Sequence, residues 1–110
     1  MIWQADGGPI DIEGPVVVGR SPSTDAVPGA PAEGVQLVTV SDPGRFVSRS
    51  HLVVEPVGDV LRLRNNSSRN PVKVIDIDGG VALISAGQPF EVRTTSRAII
   101  GGVLIDLIIA

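Results

Sequence analysis

Apolar residues along this chain fall in short runs that alternate with polar positions and stop at glycine or proline. A period of two argues for strands, because successive side chains on an extended backbone point to opposite faces. Leu61 and Leu63 alternate with Arg62 and Arg64, and Ile10 and Ile12 with Asp11 and Glu13. The same reading places an edge strand at 1–4 and further strands at 9–13, 15–19, 51–57, 60–64, 72–77, 81–84 and 90–93. Residues 35–40 are partly apolar on both faces, which predicts a well-buried strand. Two more strands fill the apolar run from Ala98 to Ala110, divided at Gly101-Gly102.

Turn residues separate these runs. Asp6-Gly7-Gly8-Pro9, Gly14-Pro15, Ser41-Asp42-Pro43-Gly44, Gly58-Asp59, Asp78-Gly79-Gly80 and Ala86-Gly87-Gln88-Pro89 all read as turns, and 94–97 as a loop. The Gly58-Asp59 pair predicts a hairpin between 51–57 and 60–64. Residues 21–34, rich in Pro, Gly, Ala and Ser, have almost no apolar period and predict a long surface loop.

Composition sharpens the picture. Hydrophobic residues make up 43% of the 110, but aromatics only 3%, so the core must be aliphatic and suited to strands. Thirteen Gly and nine Pro argue against long helices. The length suits one domain over 1–110. The expectation is an all-β antiparallel sandwich of about eleven short strands, with a closed barrel as the alternative. The terminal run is too short to cross a bilayer and carries Asp106, and the N-terminus lacks a signal peptide's basic start.

Net charge is −3, which argues against bulk nucleic-acid binding. The cations nonetheless gather mid-chain, at Arg20, Arg45, Arg49, Arg62, Arg64, Arg69 and Lys73. Absence of Cys excludes disulfides and thiolate chemistry. Val47-Ser48-Arg49-Ser50-His51 holds the only imidazole beside two hydroxyls and a guanidinium. On an extended chain such close neighbours point apart, which suits anion binding at a loop tip better than covalent catalysis. With one His and no paired carboxylates, an enzyme is disfavoured. Asp76 and Asp78 offer too few ligands for calcium and read as a solvated turn; Trp3 reads as packing or an edge cover.

Three segments stand at strand ends: Gly19-Arg20, Ser48-Arg49-Ser50-His51 and Asn66-Ser67-Ser68-Arg69-Asn70. In this order, over about residues 15–93, they resemble a forkhead-associated (FHA) domain, as does Leu83 with Gly87 near the end of that span. The resemblance implies an eleven-stranded β-sandwich that binds phosphothreonine peptides through loops at one end. It implies phosphate contacts from Arg20 and from the Ser48 hydroxyl. Arg49 would reach the phosphate or nearby peptide, Arg69 would flank the phosphothreonine, and Asn70 would hydrogen-bond the peptide backbone. Phe46 would read the third residue beyond the phosphothreonine, while Gly19 and His51 would be structural. One departure is Pro71, where the family usually has Gly; proline fixes φ and removes an N–H.

The implied role is a signalling adaptor, with a partner phosphorylated by a Ser/Thr kinase and no metal, cofactor, nucleic acid or membrane insertion. The setting implied is cytoplasmic, with a compositional lean toward bacteria, as a module of a larger protein. Pro71 and the acidic bulk charge motivate an alternative, an FHA-like structural or oligomerising domain that does not depend on phosphothreonine.

Overall fold

A computed structural model describes residues 2–4, 9–41, 44 and 46–109, with backbone only for 2–4. The expected turns at Asp6-Gly7-Gly8 and Asp42-Pro43, the Trp3 side chain and Arg45 lie outside the described residues. Among these residues ten strands form: β1 (Ile2–Gln4), β2 (Val16–Gly19), β3 (Gln36–Thr39), β4 (Leu52–Val57), β5 (Val60–Asn65), β6 (Val72–Asp76), β7 (Val81–Ile84), β8 (Pro89–Val92), β9 (Ser96–Ile100) and β10 (Val103–Leu107). They make two five-stranded sheets, ordered β3-β2-β4-β5-β8 and β1-β10-β9-β6-β7. This is the expected sandwich, and the barrel alternative falls away.

The core is aliphatic, as the composition requires. Val16, Val18, Leu52, Val54 and Leu63 of one sheet meet Val72, Val74, Ile100, Ile105 and Leu107 of the other. Each alternates along its strand with a residue on the opposite face, as in β9, where Ala98 is buried and Arg97 exposed. Hairpins follow the turn chemistry. Gly101 and Gly102 both adopt positive φ (53° and 89°), the pairing that a two-residue turn between β9 and β10 requires. On the outer face Arg97 Nε donates to Asp106 Oδ1 at 2.7 Å. That bond and the carboxylate's charge raise the Arg97 pKa, though the pair is exposed and adds little stability.

Several expectations change. The 9–13 stretch forms no strand; Ile10 and Ile12 instead tuck against the core margin. Strand β9 begins at Ser96, inside the expected 94–97 loop, where Ser96 Oγ donates to the Thr94 carbonyl at 2.9 Å. Strand β3 is an edge strand with Leu37 47% exposed, not a well-buried one.

β3 also runs parallel to β2, the one departure from antiparallel pairing between named strands. A parallel pair needs a crossover of about a dozen residues or more. The 21–34 segment supplies it, with short 3-10 turns at Thr24–Ala26 and Ala32–Gly34. The segment is also more than surface loop. Its Val27 is buried, together with Val35, against Val17 and Val53 on the outer face of the sheet. That cover explains why Val16, Val17 and Val18 are all fully buried although their side chains alternate faces. The Arg64 guanidinium donates to the Ala26 carbonyl and fastens the segment from the neighbouring strand. Among the described residues no helix is long and apolar enough to cross a membrane.

Candidate functional site

Register brings three loops to one rim. Val18 pairs with Leu52, and Leu52 with Asn65. The chain leaves β2 just beyond that row, enters β4 at it and leaves β5 from it. Segments 20–23, 47–51 and 66–70 therefore share one end of the sheet.

Gly19 sets how closely the first two can meet. A Cβ there would lie 1.9 Å from the Arg49 carbonyl oxygen and 2.9 Å from that of Ser48. With only hydrogen in the way, the 47–51 loop docks on the end of β2. Arg20 and Ser21 backbone N–H groups donate to the Ser48 and Arg49 carbonyls at 3.2 and 3.1 Å. The Arg20 side chain is exposed, and its Nε donates to the Val47 carbonyl at 3.1 Å, one residue from Ser48.

His51 is fully buried and ties the 47–51 loop to the end of β2 and to the third loop. Its N–H donates to Val18, its carbonyl accepts from Asn66, both at 2.8 Å, and its Nδ1 accepts the Ser48 N–H at 3.1 Å. Accepting at Nδ1 requires the lone pair there, so the neutral ring carries its proton on Nε2. The Asn66 side chain donates to the Ser50 carbonyl at 2.9 Å, and Ser50 Oγ accepts the Ser23 N–H at 3.0 Å.

The third loop is built on Asn65. It sits in phase with Leu61 and Leu63 on the buried face and is 1% exposed. Its Oδ1 accepts the Ser67 N–H at 2.9 Å; its Nδ2 donates to the Ile84 and Asn70 carbonyls at 2.8 and 3.1 Å. The Asn65 carbonyl accepts the Gly87 N–H at 2.8 Å, tying in the turn before β8. Ser67 Oγ accepts the N–H groups of Arg69 and Asn70 at 3.2 and 3.1 Å. The loop is thus closed from within, so Pro71 stands just before β6, where its missing N–H costs little.

An open cleft of about 700 Å³ lies between these loops. One wall comes from the 21–26 stretch, including Ser21, Ser23 and Asp25; Ser48, Arg49 and Ser50 form a second, and residues 66–68 a third. Of the residues singled out in the sequence, Ser48 and Arg49 line it; Arg20, Phe46, Arg69 and Asn70 do not. Arg69 is exposed on the third loop. Asn70 Nδ2 donates to the Phe46 carbonyl at 2.8 Å, and the Phe46 backbone lies where a Cβ on Gly101 would come within 2.8 Å. The Phe46 ring is 61% exposed. Asp76 Oδ1 accepts the N–H groups of Asp78 and Gly80, so that carboxylate shapes its own turn.

Sequence reading overlooked Asn65 and gave Ser67 no role. The signal for Asn65 was present: positions 61, 63 and 65 share one face, and a polar side chain on a core face must find internal partners. Asn65→Ala would strand two carbonyls and one N–H, and is expected to cost about 2–4 kcal/mol of folding stability. Urea denaturation measures the loss.

The sandwich has the fold of an FHA domain. It superimposes on a solved structure described as the FhaA FHA domain complexed with the intracellular domain of Rv3910, at a TM-score of 0.60 and 21% identity, covering 96% of this chain and 94% of that one. No family model matches the sequence, and no curated protein matches it.

Proposed function

We propose that the chain is a binding module for proteins carrying phosphothreonine, which the loops at the β2–β4–β5 rim grip through the phosphate. The observation that carries this reading is the row Val18–Leu52–Asn65, from which three donor-bearing loops rise together, the first bonded to the second through the Arg20 and Ser21 amides and the second to the third through His51. The FHA fold supports it, as does the solved neighbour, an FHA domain complexed with part of another protein.

A phosphothreonine carries about −1.5 to −2 charges and three strong acceptor oxygens. Arg20 supplies its Nη donors, Nε being used on Val47. Ser48 supplies its hydroxyl, and Arg49 supplies charge at the cleft. Arg69 flanks the threonine. Asn70 spends one amide proton on Phe46 and keeps Oδ1 and the other for peptide backbone. Phe46, largely exposed, reads the third residue beyond the phosphothreonine. Hydrogen bonds to a charged group are worth about 1.5–3 kcal/mol each. Three or four, less ordering costs, give micromolar affinity, about −8 kcal/mol. The module acts by recognition rather than catalysis, as an adaptor within a larger signalling protein.

The test is titration with a degenerate phosphothreonine peptide pool, beside its phosphoserine and unphosphorylated counterparts. Enrichment confined to the phosphothreonine pool is expected; equal binding of all three would refute the reading.

One observation favours a second reading. Val81, Leu83 and Leu104 expose apolar surface on the outer face of the other sheet. An oligomerising domain would pair through that face, and its dimer would form regardless of Arg20→Ala. Sedimentation showing a monomer at high concentration would dismiss it.

A further inference from the structure

We infer that Ser67 is a positioning residue that fixes the Ser48 hydroxyl as a donor to the bound anion. The two oxygens lie 2.7 Å apart, and either could in principle donate. The surroundings decide the direction. Ser67 is 2% exposed, and its Oγ already accepts two backbone N–H groups, from Arg69 and Asn70. A hydroxyl oxygen has two lone pairs, so both are occupied and only its proton remains to be given. The acceptor at hand is Ser48 Oγ. The bond therefore runs from Ser67 to Ser48.

Two consequences follow for Ser48. It accepts from Ser67 and so keeps its own proton for the cleft, which it lines together with Arg49. It also becomes a stronger donor, since accepting one hydrogen bond polarises a hydroxyl toward donating the next. The chain of donation begins at the Arg69 and Asn70 amides, passes through Ser67 and ends at Ser48. Asn65 anchors it by accepting the Ser67 N–H. A site arranged this way favours an acceptor-only guest such as a phosphate dianion over a ligand that must itself donate.

The inference rests on the phosphothreonine reading, and its test separates the two. Affinity for the phosphothreonine peptide pool would be measured for the wild type, Ser48→Ala, Ser67→Ala, the double variant and Ser67→Thr. Ser67→Ala is expected to weaken binding about tenfold, the scale of one lost hydrogen bond. The double variant should lose less than the sum of the two single losses, because part of the Ser67 effect runs through Ser48 while the rest runs through the Arg69 and Asn70 amides it holds. Ser67→Thr, which keeps the hydroxyl, should restore affinity. If circular dichroism shows Ser67→Ala unfolded, Ser67→Cys takes its place, since a thiol keeps the volume but is a weak donor, and the same loss is expected. Wild-type affinity in Ser67→Ala (or in Ser67→Cys where that replaces it) beside a weakened Ser48→Ala would overturn the inference and leave the phosphothreonine reading standing. Additive losses in the double variant would do the same. A wild type that does not prefer the phosphorylated pool would overturn both.

Discussion

Gly19→Ala is expected to lower stability by about 3 kcal/mol or more and to abolish peptide binding with it. The new methyl would sit 1.9 Å from the Arg49 carbonyl oxygen and 2.6 Å from its carbon, both backbone atoms that cannot swing away as a side-chain tip could. Relief requires the 47–51 loop to lift from β2. That breaks the bonds from the Arg20 and Ser21 amides and displaces Ser48 and Arg49 together. For a domain of this size the cost corresponds to a melting point lower by about 10–20 °C. Gly34→Ala is the control: a Cβ there meets nothing within 4 Å, and stability should change by no more than about 0.5 kcal/mol. Thermal melts of the two variants, with peptide titration where the fold persists, check both halves of the expectation.

Arg20→Ala carries the second large effect, with a different signature. The side chain is exposed and, among the described residues, makes a single part-buried bond, to the Val47 carbonyl, so the fold should stay within about 1 kcal/mol of wild type. Phosphopeptide affinity should fall by about a hundredfold, because a guanidinium presents several charge-assisted donors to one phosphate. Arg20→Lys should recover only part of this. An ammonium keeps the charge but lacks the Nε that ties the side chain to Val47 and the planar fork that matches phosphate. Isothermal titration of the three proteins, with circular dichroism to establish folding, provides the comparison. Gly19→Ala thus tests the docking of the loop, and Arg20→Ala the charge it presents.

The sandwich could be read from the chain because period-two alternation is a local property. Leu61, Leu63, Ala98 and Ile100 fall on the buried face by spacing alone. The parallel β2–β3 pair could not, since nothing local fixes the direction in which a strand is added. The length of the 21–34 segment was the clue, and its low apolar content hid the one anchor, Val27. At the site, Arg20, Ser48 and Arg49 stood out as chemical types at strand ends. What holds them stood out only in part: the resemblance marked Gly19 and His51 as structural, but not the contacts they make or the parts played by Asn65 and Ser67. Gly19 matters through a carbonyl 30 positions away in sequence, and Asn65 and Ser67 through backbone groups that only the folded loop supplies. Donors can be seen in a sequence; the acceptors that orient them depend on tertiary approach.

The central claim is that a phosphorylated threonine seats on the rim formed by the ends of β2, β4 and β5. Its most direct test is an amide chemical-shift map of the labelled protein titrated with a phosphothreonine peptide. The account predicts shifts concentrated at 20–23, 46–51 and 66–70, and none with the same peptide unphosphorylated. Shifts centred instead on Val81, Leu83 and Leu104, or equal responses to both peptides, would contradict it.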